Sequence, residues 1–477
     1  MTQKRQVYLL DPQKLSPETI AVTFAKTSRS PDTFQEIAAE LTEAKSAEFH
    51  EKWVVGYGHS SVAEHAVLHI AVENISRLAV ESLESNRLAS YTEKSTRYQK
   101  WGADAFFVPD ELLDHVLNTK YLETCQLLFD TYFQSLPPVI EVVKQELPQQ
   151  PGEKESAWDK RIRPEITDVC RFILPASALA NVGVTINART LEHAIQKMLS
   201  HPLAEVRSLG REIKLVAQAE VPTLVKYANE VPYLKTAAQD FSLACAQANL
   251  TEGFLDWCQL ISSDCEGENQ VLAAALYRFG YCGYAQALDF VRKAPSFERQ
   301  QLANMLLLHL GKYDIPLREL EHARFTFDLV FDQGAYNEFK RHRMMTQTPQ
   351  NLTTRLGYAI PRRISAAGIE KSYRKAMEAA FDTYQQIAAF NPEVAAYIVP
   401  NAFNRRVLCT FNLREAFQFL TLRSAANAHF SIRRVARRMA EQIQACSPLL
   451  GQFLRLPPSE TWQEIETQHF THTCVTG

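Results

Sequence analysis

No C-x-x-C pair occurs in this sequence. Its nine cysteines are scattered at 125, 170, 245, 258, 265, 282, 409, 446 and 474. An odd count without close pairs fits no simple disulfide framework, and thiols so placed read as buried or idle groups in a reducing compartment. A membrane-spanning run is lacking as well. The longest uncharged apolar stretch, residues 172–186, carries Pro175, Asn181 and Gly183 and falls short of a spanning helix. Residues 1–11 hold no apolar core of signal-peptide length, so the expectation is a soluble, cytoplasmic protein. A basic excess is missing too: 51 Lys and Arg stand against 54 Asp and Glu, which argues against a general nucleic-acid binder. Nothing resembles a glycine-rich phosphate loop. What is present is ordinary globular composition, 46% apolar and 22% charged, over 477 residues. That length implies two or three domains.

The chain repeats itself at long period. Glu64-His65 recurs as Glu321-His322, an offset of 257 (321 minus 64). Ser85-Asn86-Arg87 has the counterpart Arg341-His342-Arg343, at an offset of 256 (341 minus 85). An apolar run ending in proline follows in each copy, residues 172–175 and 397–400. Asn187-Ala188-Arg189 then matches Asn412-Leu413-Arg414, where the offset has shrunk to 225 (412 minus 187). Four landmarks in one order define two tandem copies, the second having lost a connecting segment. The boundaries expected are a first domain over 1–250, a connecting segment over 251–295 and a second domain over 296–477. The copies are expected to meet within 249–270, where Ser262, Ser263, Asp264, Gly267 and Asn269 cluster.

Local patterning predicts strands over 66–72 and 325–331, both rich in β-branched and aromatic residues. It predicts a helix around Leu122 to Tyr132, and helical periodicity through 415–446. Residues 145–163, with Pro148, Pro151, Gly152 and mixed charges, read as an exposed loop. Each copy is therefore α+β, with helices in the majority and a small sheet.

The segment from Gly58 through Ser61 to Glu64-His65, then Arg77, then Arg87 through Ser95 to Tyr98, resembles the flavin-dependent thymidylate synthases. That family's motif begins Arg-His-Arg and places a serine shortly after. The first copy keeps the serine position as Ser95 but carries Ser85-Asn86 where the triplet begins. The second copy keeps Arg341-His342-Arg343 and has Asn351 and Thr353 at the serine and arginine positions. The resemblance covers most of 1–235 and again about 296–456. It implies two copies of that family's fold, FAD as bound cofactor, NADPH as reductant, methylenetetrahydrofolate as one-carbon donor and dUMP as substrate. A dianionic phosphate calls for forked guanidinium and hydroxyl donors, and an electron-rich uracil for a cation beside its carbonyls. No cysteine nucleophile is needed.

Carried over position by position, the resemblance implies that Glu93, Ser95, Arg97, Arg171 and Arg341 bind the nucleotide. Arg423 would approach the uracil ring as the catalytic cation. Flavin contacts fall on Ser28, His59, Ser61, Glu64, Arg87, Asn187 and Arg189 in the first copy, and on Arg341, His342, Arg343, Asn412, Arg414 and Gln418 in the second. The position of Arg423 is Met198 in the first copy, and that of Arg171 is Ala396 in the second. The losses are complementary. One site per chain is expected, built from the first copy's phosphate-side residues and the second copy's uracil-side arginine. Ser82 and Glu338 stand at the family's glutamine position.

Taken alone, Lys340 to Arg343 would be a solvated basic patch, Arg97 and Arg171 ordinary ion-pair partners, and Arg423 a helix-surface arginine. His65 and His69 have no third ligand at metal spacing, so no metal is expected. Two other readings stand beside the enzyme: a non-catalytic flavin- or nucleotide-binding paralogue, and an interaction protein with a fossil site. The family's four-domain assembly implies a homodimer of this two-domain chain.

Overall fold

In the computed structural model, residues 6–56, 59–95, 101–250, 253, 256–458 and 460–473 are described, with the side chain of residue 55 left aside. The chain forms two compact units, and these do not follow chain order. The first comprises 1–94, 106–116 and 177–251; the second comprises 95–105, 117–176 and 252–477.

The first unit holds an antiparallel sheet of β1 (Val67–Ser76), β2 (Ala89–Glu93) and β3 (Leu179–Asn187) in the order β1-β3-β2. Buried and exposed residues alternate along β1, as a half-buried strand requires, with Leu68, Ile70 and Val72 turned inward. Helices Arg77–Glu84, Ala188–Leu199 and Ala204–Gln218 bury Val80, Leu83, Leu191, Ile195, Val206 and Leu209.

The second unit repeats this plan and extends it. Its sheet runs β4-β5-β8-β6, with β4 at Cys258–Ser263, β5 at Arg324–Asp332, β6 at Thr346–Pro349 and β8 at Asn404–Asn412. The antiparallel pairs β5–β8 and β6–β8 reproduce β1–β3 and β2–β3. A two-stranded ribbon joins β7 (Ile360–Pro361) to β9 (Phe470–His472). Helix Gln333–Phe339 occupies the place of Arg77–Glu84, Leu413–Arg423 that of Ala188–Leu199, and Phe430–Cys446 that of Ala204–Gln218.

Matching side chains hold both repeats together. Asn187 and Asn412 each begin a helix by accepting a backbone N–H three residues on, at 2.9 Å in both cases. Arg189 pairs with Glu64, and Arg414 with Glu321 at 2.7 Å, so the Glu-His and Asn-x-Arg landmarks are the two ends of one ion pair. A third match exchanges its roles. Ser76 caps helix Arg77–Glu84 and donates its hydroxyl to Glu205 at 2.6 Å, whereas Asp332 caps helix Gln333–Phe339 and accepts from the Ser431 hydroxyl. Hydroxyl and carboxylate have changed places while the contact persists.

Three local expectations change. Helical periodicity over 415–446 resolves into two helices, because Ser424 ends the first and the His429 ring caps the second by accepting from Ser431 N. The stretch 145–163 is mostly helical: Asn118–Glu146 continues through Pro137 and Pro138, and Glu155–Cys170 begins after a short turn. Trp158, Ile162, Ile166 and Val169 give that second helix an apolar face that outweighs its charge. Residues 251–295, expected to connect the domains, contain β4 and helices Gly267–Gly280 and Tyr284–Lys293, with β4 hydrogen-bonded to β5.

The helices Asn118–Glu146 and Glu155–Cys170 come from the first repeat in sequence, yet they belong to the second unit. There Thr124 bonds to Thr383 of helix Glu370–Phe390 at 2.8 Å, and Arg363 reaches Glu146 and Glu165 at 2.7 Å each. Tyr121, Cys125, Leu128, Phe129 and Tyr132 are fully or almost fully buried.

Candidate active site

Helix Glu155–Cys170 ends on Arg171, and helix Leu413–Arg423 ends on Arg423. Between them lies Glu338 of helix Gln333–Phe339, buried with only 8% of its surface accessible. Arg171 Nη2 donates to its Oε1 at 3.2 Å, and Arg423 Nη1 donates to its Oε2 at 2.9 Å. Two guanidiniums, one from each repeat, thus share one carboxylate. Asp168 also approaches Arg171, its Oδ1 lying 3.6 Å from Nε. Burial pushes the Glu338 carboxyl up, but Arg171, His429 and Arg423 together hold it below its ordinary value, so it stays ionised.

The arrangement continues past Arg423. Its Nε donates to His342 Nε2 at 2.9 Å, and His342 Nδ1 lies 3.2 Å from Glu415 Oε1. Burial depresses the His342 pKa; Glu415 opposes that shift and Arg423 adds to it. A neutral ring carrying its proton on Nδ1 satisfies both contacts, donating to Glu415 and accepting from Arg423. The result is a connected series of polar contacts: Glu415, His342, Arg423, Glu338, Arg171, Asp168.

The first repeat does not rebuild this series. Ser82 replaces Glu338, Asn86 replaces His342, and Met198, buried, replaces Arg423. Lys197 takes part of the role, donating to Ser85 Oγ at 2.7 Å and to Asn86 Oδ1 at 3.1 Å. On the second repeat Ala396 stands where Arg171 would be.

The remaining nucleotide positions are distributed as follows. Glu93 ends β2 with its side chain buried and ion-paired with Arg77. Ser95 is half-buried just beyond that strand. Arg97 lies outside the described residues. Arg341 is exposed and Arg343 half-buried, while His342 between them turns inward.

The expected flavin positions fall into two groups. In the first unit Ser28, His59, Ser61 and Glu64 line a single cavity of about 420 Å³. Arg29 and Trp53 line it too, with the guanidinium 4.4 Å from the indole centre. Sequence reading missed both; the signal available was the adjacency of Arg29 to Ser28. Hydroxyls, imidazoles and a guanidinium around an aromatic wall fit a ligand that has both a planar ring and a phosphate. Arg189 is held by Glu64, Asn187 is a helix cap, and Arg87 is exposed. In the second unit Asn412, Arg414 and Gln418 line a separate cavity of about 640 Å³. Arg414 is there engaged with Glu321 and the Pro316 carbonyl. Among the described residues no cluster of His, Cys, Asp or Glu could hold a metal ion. No described helix is long and apolar enough to cross a membrane.

Comparison with known proteins agrees with the repeat. The family model described as thymidylate synthase complementing protein matches twice, over 10–223 and 260–449. A UPF0159 protein of Chlamydia muridarum is 32% identical over 443 residues, covering 87% of this chain and 82% of that protein. A UPF0159 protein of Thermoplasma acidophilum is 27% identical over 458 residues, covering 87% and 90% respectively. A flavin-dependent thymidylate synthase of Clostridium tetani is 27% identical over 218 residues, which is 44% of this chain and 82% of that enzyme. That enzyme's length therefore fits less than half of the chain, as expected when one repeat corresponds to one whole enzyme. With two matched segments, repeated sheets and repeated helix caps, the chain belongs to the flavin-dependent thymidylate synthase family, as a tandem pair of its α+β domains.

Proposed function

We propose that this protein is a flavin-dependent thymidylate synthase with one composite site per chain. It would move a one-carbon unit from methylenetetrahydrofolate to C5 of dUMP, with FAD as bound cofactor and NADPH as reductant. The observation that supports this reading best is the convergence of Arg171 and Arg423, one from each repeat, on the same carboxylate. Their counterparts Ala396 and Met198 offer no donors, so only one pairing of repeats has cationic residues on both sides of a nucleotide. Arg423 beside a uracil carbonyl would stabilise negative charge developing on the ring, and Arg171 with Ser95 and Arg97 would anchor the phosphate. The first-unit cavity supplies hydroxyl, imidazole and guanidinium groups suited to hold the flavin, through Ser28, Arg29, His59 and Ser61. Bound FAD would supply the redox chemistry.

Glu338 favours a second reading. A carboxylate already engaging both guanidiniums neutralises charge that a phosphate dianion would use, and this suits a paralogue that binds flavin or nucleotide without turnover. One experiment separates the two. Under the first reading the gene restores growth to a thymidine-requiring bacterium, and the yellow purified protein converts dUMP. Failure of growth together with retained flavin and nucleotide binding selects the second.

A further inference from the structure

Arg423 can serve one nucleotide only if its guanidinium is held in one orientation, and Glu338 alone fixes a single Nη of it. His342 supplies the second point, accepting from Nε at 2.9 Å. That contact needs a lone pair on His342 Nε2, hence a proton on Nδ1, and Glu415 Oε1 stands 3.2 Å from Nδ1 to receive it. The Phe419 ring closes the pocket edge-on at 4.9 Å, and Gln347 Nε2 donates to the His342 carbonyl at 2.9 Å, fixing the backbone. The charged groups facing this imidazole are Glu415 and Arg423 from helix Leu413–Arg423 and Glu338 from helix Gln333–Phe339.

We propose that His342 is a positioning residue, held by Glu415 as the neutral Nδ1–H tautomer so that its Nε2 orients the Arg423 guanidinium toward the nucleotide. This rests on the reading that Arg423 acts at the substrate base. It assigns the middle residue of the triplet a role other than gripping flavin. The first repeat shows what the position requires: Asn86, its counterpart, likewise presents an acceptor, Oδ1, to the cation of the neighbouring helix, Lys197. An amide oxygen accepts at any pH, whereas an imidazole accepts only while neutral. A protonated His342 would turn an N–H toward the Arg423 N–H and set two cations side by side. Burial and Arg423 resist that protonation, so the contact survives below 6.5 and fails only as pH drops further.

Two measurements on the full chain test this. Nitrogen-15 NMR of labelled imidazole in the substrate-free protein should place the His342 proton on Nδ1, and Arg423→Met should raise its pKa. In a dUMP titration, His342→Phe should weaken binding more than tenfold, while His342→Asn should recover most of the loss. The parent should keep its affinity through 6.5 and lose it only at lower pH, and His342→Asn should lack that acid limb. A proton found on Nε2, or a His342→Phe variant binding like a competent parent, overturns the assignment. If even the parent binds no dUMP, the substrate reading falls, and the tautomer with its Arg423→Met response still decides whether the two side chains are coupled.

Discussion

Glu338 accepts from two guanidiniums at once, those of Arg171 and Arg423. Removing one member of a buried ion pair leaves its partner's charge uncompensated, at a cost of about 3–5 kcal/mol. Glu338→Leu strands two guanidiniums, so urea denaturation should show a loss of about that size. The carboxyl is held below its ordinary value of 4.5, so the stability it confers is present above that pH and fades as pH falls beneath it. The variant's acid-denaturation profile should be flatter there than the parent's. For the nucleotide, a buried charged donor is worth about 2–5 kcal/mol and an exposed pair about 0–1 kcal/mol. Arg423→Ala should therefore weaken dUMP binding well over tenfold with circular dichroism unchanged. Met198→Ala, at the corresponding place in the other repeat, should leave affinity nearly unchanged. Equal binding by both would reject a shared site. Arg171 and Arg423 could be singled out from sequence through the family resemblance, and each is lost in the other repeat. The contact between His342 and Glu415 could not, since 73 residues separate them and no local pattern announces it.

At the level of the element, the exchange between Ser76–Glu205 and Asp332–Ser431 shows how a duplicated helix start can diverge without losing its anchor. Asp332 does two jobs, receiving Ala335 N at 2.8 Å and the Ser431 hydroxyl. Losing an N-cap costs about 0.5–2 kcal/mol, and stripping a buried carboxylate of a partner about 1–3 kcal/mol. Ser431→Ala should thus lower the thermal midpoint, whereas Asp332→Asn with Ser431 retained should cost less, because the amide still caps and still accepts. The strands 66–72 and 325–331 were legible, since their β-branched and aromatic residues suit a pleated, half-buried surface. Residues 145–163 were not. Their prolines and charges signal a turn, while the apolar stripe through Ile162 and Ile166 acquires meaning only from what it packs against.

For the whole molecule, two family domains in one chain imply that two chains reconstitute the family's four-domain assembly. Light scattering should give twice 54.2 kDa, and a mass equal to one chain would count against it. Complementary losses imply one competent site per chain, so flavin titration of the apoprotein should saturate near one equivalent. Saturation near two would mean that the second-unit cavity around Arg414 and Gln418 also takes cofactor. The two matched segments, 10–223 and 260–449, follow ancestry, and ancestry is what sequence similarity records. The compact units follow contacts instead, and no residue in 117–176 declares in its own sequence which repeat it will join.

That mismatch makes the duplication irreversible. Two fused genes can ordinarily be separated again, each half folding as its ancestor did. Here a cut at the repeat junction would leave Tyr121, Phe129 and Tyr132 on one fragment and Thr383 with its helix on the other. Neither fragment would be a finished protein. Ribosomal synthesis meets the same constraint: helices 118–146 and 155–170 emerge early and must wait about two hundred residues for helix Glu370–Phe390. A chain nicked by protease within 249–256 should accordingly elute as one particle under native conditions and as two bands once denatured. Residues 252–477 expressed alone should be insoluble until a segment carrying 117–176 is supplied alongside.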